Sequence, residues 1–149
     1  MIPGPSARGF ILLTIIFNKI KEKEVSSMTH AHSRAIIGCG IYTEFAINLL
    51  AGNELDIAYE KMQRTIKEYY KKGSKNELTY YHRILDNDIS QLKEEEINSS
   101  GYVVDTLEAV LWLLLNGGSY RETVLQAVNL GEDTDTVAAI AGGLAGIYY

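Results

Sequence analysis

The sequence predicts an all-α protein, a compact helical bundle. Apolar residues recur near the 3.6-residue helical period in successive stretches. No alternating strand pattern of useful length appears, and no internal repeat. Only 2 prolines stand in 149 residues, so little interrupts long helices, because proline is the residue that breaks a helix interior.

The elements follow in order. Residues 9–17, Gly-Phe-Ile-Leu-Leu-Thr-Ile-Ile-Phe, form an apolar run that is too short for a bilayer, which takes about 20 apolar residues. No basic stretch precedes it, and Asn18-Lys19-Ile20-Lys21-Glu22 follows in place of a small-residue cleavage site. It reads as a buried segment. A helix is predicted over about 31–50, with Ile36, Ile37, Ile41, Phe45, Ala46, Leu49 and Leu50 inward and Gly52 as a left-handed stop. Cys39 lies in this helix and reads as an inert core thiol. A second helix over about 54–71 places Ile57, Met62, Ile66 and Tyr69 on its apolar side. Lys67, Lys71 and Lys72 crowd its carboxyl end, where cations suit the dipole, and Gly73 follows.

From about 73 to 100 the chain turns polar and reads as one or two short helices joined by surface loops. Tyr69-Tyr70 and Tyr80-Tyr81 read as packing residues. Asp86-Asn87-Asp88 opens like a calcium loop, but Gln91 and Ile97 stand where its glycine and its bidentate glutamate belong. A strong helix spans about 103–116, with Val104, Leu107, Val110, Leu111, Leu114 and Leu115 inward; Gly117-Gly118 stops it. Ser119 and Glu122 have capping-box spacing for a helix to about 128. The last helix runs from about 133 to the end, with Ala138, Gly142 and Gly146 on one face, which predicts another helix crossing at close range.

Composition bounds the function. Hydrophobic residues make up 46% and charged residues 22%, the balance of an ordinary soluble globular domain. A net charge of −5 argues against nucleic-acid binding, which needs a basic surface. A lone cysteine excludes an intrachain disulfide and suits a reducing cytoplasm. The expectation is a cytoplasmic protein without membrane contact. A zinc site built on His30 and His32 lacks ligands, since His82 is the one further histidine.

One constellation carries chemistry: Asp133-Thr134-Asp135-Thr136, after the turn Leu130-Gly131 and before the small apolar run 137–141. It stands at a helix amino terminus. One reading is a cap, with Asp133 capping and Asp135 placing negative charge in the first turn. The other is a hard-metal site, in which Asp133, Asp135 and the Thr136 hydroxyl converge as oxygen ligands for magnesium or calcium. Three oxygens are too few for octahedral magnesium, so that reading requires water or a second acidic segment.

Residues 127–146, Ala-Val-Asn-Leu-Gly-Glu-Asp-Thr-Asp-Thr-Val-Ala-Ala-Ile-Ala-Gly-Gly-Leu-Ala-Gly, resemble the carboxy-terminal signature of the ADP-ribosylglycohydrolase family, dinitrogenase-reductase-activating type. Residues 99–112, Ser-Ser-Gly-Tyr-Val-Val-Asp-Thr-Leu-Glu-Ala-Val-Leu-Trp, resemble the family's Gly-Tyr-Val helix, and Ser26-Ser27-Met28-Thr29-His30-Ala31-His32-Ser33-Arg34 its Thr-His segment. The three motifs stand in the family's order. The resemblance implies one all-α domain over 1–149, incomplete, with 22–149 matching the family and 1–21 not.

It also implies a magnesium-dependent (Mg2+) hydrolase with a two-metal site, removing ADP-ribose from modified protein side chains or small-molecule conjugates. Asp133 and Asp135 match catalytic positions, and with Thr136 match metal ligands. His30, Gly101 and Tyr102 match the substrate pocket. Glu132 stands where many members carry a second glycine. The family's Gly-Asp pair and Thr-Asp-Asp-Thr segment have no counterpart here, and Met1-Ile2-Pro3-Gly4-Pro5-Ser6-Ala7-Arg8-Gly9-Phe10 stands in place of the family's Asn-Gly-Ser-hydrophobic-Met-Arg loop. The chain therefore reads as the carboxy-terminal part of a longer protein, expected to self-associate or to pair with a complementing amino-terminal half. The alternative is a non-catalytic remnant or binding module that keeps the fold and a partial metal site.

Overall fold

The computed structural model describes residues 33–70 and 75–149. The helices are α1 (Ser33–Leu50), α2 (Leu55–Tyr70), α3 (Lys75–Leu78), α4 (His82–Asp86), α5 (Val103–Asn116), α6 (Tyr120–Asn129) and α7 (Thr134–Tyr148). Single 3-10 turns stand at Thr79–Tyr81, Ile89–Gln91 and Glu94–Glu96. The class is all-α, and no strand occurs among the described residues. The apolar run 9–17, His30, His32 and the Lys71-Lys72-Gly73 helix end lie outside the described residues.

α5 is the axis of the fold. Every residue from Thr106 to Leu114 is buried, as expected of a helix that is apolar all round. α1, α6 and α7 pack around it, and α2 packs on α1. α1 turns Ile37, Ile41, Phe45, Ala46 and Leu49 inward. Its first turns also approach α5 closely: a β-carbon on Gly38 would stand 2.8 Å from Tyr81 Oη and 3.0 Å from Val103 Cγ2. Gly52, at φ +84°, ends the helix in the left-handed conformation.

Cys39 is exposed, not a core thiol. It lies two residues, about 200° of helical rotation, from both Ile37 and Ile41, which are fully buried. The buried stripe of α2 is Ala58, Tyr59, Met62 and Ile66, whereas Ile57 is 41% and Tyr69 71% exposed. Nine residues separate Ile57 from Ile66, and at about 100° per residue they face opposite ways. Tyr69 stands in the last turn, its ring edge-on to Tyr70.

The polar stretch 75–100 contributes more core than its composition predicts. Tyr81, Ile84 and Ile89 are fully buried, and Leu85 and Ile97 nearly so. Main-chain acceptors tie it down. Tyr59 Oη donates to Ile84 O at 2.6 Å, Gln63 Nε2 to Ile84 O and Asn87 O, and Trp112 Nε1 to Leu92 O at 2.9 Å. Arg83 pairs with buried Glu108 at 3.1 Å and donates to Glu96 O. Asp88 is spent on its own turn, accepting from Ser90 N and Oγ.

Ser119 caps α6 by accepting from Glu122 N at 3.2 Å. α6 packs on α7 at the small-residue face, but at ordinary van der Waals range rather than the close range the glycine spacing predicts. β-carbons on Gly142 and Gly146 would meet Tyr120 and Val124 side chains at 3.7 and 3.8 Å, so side chains rather than backbone fill the crossing. No described helix is long and apolar enough to cross a membrane.

Candidate metal and substrate site

Two loops far apart in sequence meet beside the amino ends of α5 and α7. Asp133 N donates to Ser99 O at 3.1 Å. In return, Ser99 Oγ donates to Gly131 O at 2.9 Å, and Ser99 is buried. Gly131 and Glu132 take φ of +89° and +54°, a left-handed pair that reverses the chain before α7. Glycine adopts that region without penalty and glutamate does not.

Asp133 occupies the N-cap position of α7, but its side chain makes no capping hydrogen bond. The cap reading of this aspartate therefore fails. Its carboxylate faces two neighbours instead. A β-carbon on Gly101 would stand 2.9 Å from Asp133 Oδ2, so only glycine fits there without a shift. Asp135 is the second neighbour. Its carboxyl is held below the usual carboxylate range, first by a hydrogen bond with the Asp133 carboxyl, then by the amides of Thr136 and Asp135 itself. Neighbouring carboxyls favour a shared proton or a cation between them, since like charges repel. Asp135 and Thr136 are exposed.

Among the described residues, no three His, Cys, Asp or Glu side chains gather to hold a metal. The hard oxygen donors of Asp133, Asp135 and Thr136 suit magnesium in kind and fall short in number. His30 lies outside the described residues.

Tyr102 is the N-cap residue of α5 and 40% exposed. Its amide donates to Ser100 Oγ, and Ser100 Oγ donates to Asp105 Oδ2 at 2.6 Å. Its hydroxyl accepts from Arg34 Nη1 at 2.9 Å. Arg34 also donates to Glu77 Oε2 at 3.0 Å and lies 3.5 Å above the Tyr80 ring centroid. Sequence reasoning assigned Arg34 no role and read Tyr80 as packing, yet Tyr80 is half-exposed. One signal was available: a cation in the first turn of a helix stands at the wrong end of the dipole and needs another reason to be there.

Two clefts among the described residues lie away from this pair of loops. A groove of about 560 Å³ is lined by Glu54, Asp56, Tyr59, Asp86 and Tyr148 among others. Tyr148 ends α7, whose 15 residues put it roughly 20 Å from Asp133 at about 1.5 Å rise per residue. A second cavity of about 640 Å³ runs past Arg64, Lys67 and Thr79.

The family model for ADP-ribosylglycohydrolases matches residues 19–149. The chain belongs to the ADP-ribosylglycohydrolase family. The match begins slightly before residue 22, where the motif reading placed it.

Relatives within the family share parts of it. An ADP-ribosylarginine hydrolase Tri1 from Pseudomonas putida (strain GB-1) is 52% identical over 59 residues, covering 40% of this chain and 16% of that protein. The Tri1 of Serratia proteamaculans (strain 568) is 51% identical over 57 residues, 38% and 16% of the two chains. The ADP-ribosyl-[dinitrogen reductase] glycohydrolase of Rhodospirillum rubrum is 29% identical over 122 residues, 82% of this chain and 35% of that one. The aligned part is thus about a sixth to a third of each of these ADP-ribosylglycohydrolase relatives.

Proposed function

We propose that this chain carries the carboxy-terminal share of a magnesium-dependent site that hydrolyses the glycosidic bond between ADP-ribose and a protein side chain, arginine first. The Asp133 carboxylate, set beside the bare α-carbon of Gly101 and making no capping hydrogen bond, carries the reading. Asp135 and Thr136 follow it with further oxygen donors of the kind magnesium takes. The relatives named for arginine and dinitrogen-reductase substrates support the acceptor class.

Asp133, Asp135 and Thr136 would hold magnesium. When bound, the metal supplies Lewis-acid orientation of ribose hydroxyls and of a water. The two carboxylates place negative charge where the sugar becomes oxocarbenium-like as its anomeric bond breaks. Gly101 leaves room beside Asp133, and the exposed face of Tyr102 offers an aromatic surface to the ribose or base.

The short donor set favours a second, coarser reading: a chain that keeps the fold and a weak metal site and turns over little substrate without a complementing acidic segment. Calorimetric titration of this chain with magnesium and with ADP-ribose tests the first claim, and hydrolysis of ADP-ribosylated arginine tests turnover. Weak binding of both with slow or absent turnover is expected. Binding of neither leaves only a structural module.

A further inference from the structure

We infer that Arg34 is a positioning residue: its guanidinium fixes the Tyr102 hydroxyl and so holds the Gly101 backbone against the Asp133 carboxylate. Its bearing on ligand binding rests on the function proposed above; the positioning itself rests on geometry.

A guanidinium offers a flat face and a rigid fork of N–H donors. Both are used. The face lies 3.5 Å above the Tyr80 centroid, Nε donates to Glu77 at 3.0 Å, and Nη1 donates to Tyr102 Oη at 2.9 Å. The main-chain carbonyl of Arg34 accepts from Tyr81 Oη at 2.7 Å. One residue of α1 thus binds α3, the 3-10 turn 79–81 and the N-cap of α5.

The position is chosen against local preference. The first turn of α1 contains no acidic side chain, and a helix amino terminus disfavours a cation. Glu77, Tyr80 and Tyr102 supply what the helix does not. Tyr102 in turn stands one peptide bond from Gly101, whose α-carbon faces Asp133 Oδ2. The Tyr102 amide is bonded to Ser100 Oγ, so a shift of the phenol is transmitted to the whole 99–102 loop. Lysine cannot replace this, because a point charge on a flexible stem cannot stack and satisfy two forked partners together.

Amide hydrogen exchange on the full chain, without ligand, tests the positioning. Arg34→Met should raise exchange at the 101–103 and 133–135 amides by about tenfold, with α2 and α6 unchanged and Arg34→Lys restoring only part. Where Arg34→Met fails to fold, Tyr102→Phe removes the acceptor alone and should give the same local rise. Unchanged exchange at these amides overturns the inference. In the presence of magnesium, Arg34→Lys should weaken ADP-ribose binding by about tenfold at unchanged melting temperature, since small misplacements of a binding loop are costly. Unchanged affinity in a chain whose wild type binds also overturns it. A wild type that binds no ADP-ribose sinks the proposed function instead, and exchange then decides about Arg34 by itself.

Discussion

Gly101 presents its bare α-carbon to the Asp133 carboxylate, so that a β-carbon there would stand 2.9 Å from Oδ2. The glycine is what allows two loops to close on an unspent carboxylate. Gly101→Ala must displace Asp133 Oδ2, because that approach is closer than real β-carbons make. We expect magnesium affinity to fall by about tenfold, the scale on which displaced ligands or their supports act. The melting temperature should barely move, since Gly101 is exposed. Calorimetry and a thermal melt on the same sample check both halves.

Asp133→Asn separates capping from metal binding. Asparagine is as good an N-cap residue as aspartate, and the wild-type side chain makes no cap bond in any case. Stability without metal should hold or rise by under about 1 kcal/mol, while the stabilisation that magnesium confers disappears. A variant that melts as the wild type does at every magnesium concentration contradicts the metal site.

Glu132 adopts φ +54°, a region that costs a non-glycine residue about 1–2 kcal/mol. Glu132→Gly relieves that cost and adds chain entropy to the unfolded state, worth about 0.4–1 kcal/mol in the other direction. The balance predicts a gain of about 0–1.6 kcal/mol. Gly131→Ala, at φ +89°, should lose about 1–2 kcal/mol for the same reason. Urea unfolding of the pair measures both signs.

Gly146 is exposed, and its added β-carbon would sit 3.8 Å from Tyr120 Cε2, an ordinary contact. Gly146→Ala should therefore gain most of the roughly 1 kcal/mol by which alanine exceeds glycine in a helix. A loss of stability would mean that α6 and α7 lie closer than described.

Glu108 is buried on α5, and burial pushes its carboxyl above the ordinary value of 4.5, with the Arg83 guanidinium pulling the other way. A carboxyl raised in the folded state holds its proton more firmly there than in the unfolded chain. Its contribution to stability therefore falls as pH rises from about 4.5 through the folded value. Melting temperatures of wild type and Glu108→Gln, compared from neutral pH down to about 4.5, should shift in favour of the wild type as pH falls.

Most of the helices were legible in the residues. α5 spans Val103–Asn116, as its apolar period predicts, and α1, α2, α6 and α7 lie within a residue or two of their expected bounds. The errors came from faces and composition. Ile57 was placed inward although it lies half a helical turn from Ile66, and Cys39 was read from its apolar neighbours rather than its angle. Tyr81, Ile84 and Ile89 were overlooked because a polar average conceals a few well-spaced apolar residues.

The sequence by itself determined the helical class, the apolar period of α5, the left-handed stop at Gly52 and the motifs that mark the family. These are local properties: period, glycine position and short residue strings. Only the tertiary structure decided that Asp133 spends nothing on capping, that Gly101 closes on it, and that Arg34 reaches Tyr102 across 68 positions. Periodicity says which face of a helix is buried, not which other face it meets. The candidate site lies where the amino ends of α5 and α7 come together, and that meeting is a consequence of packing.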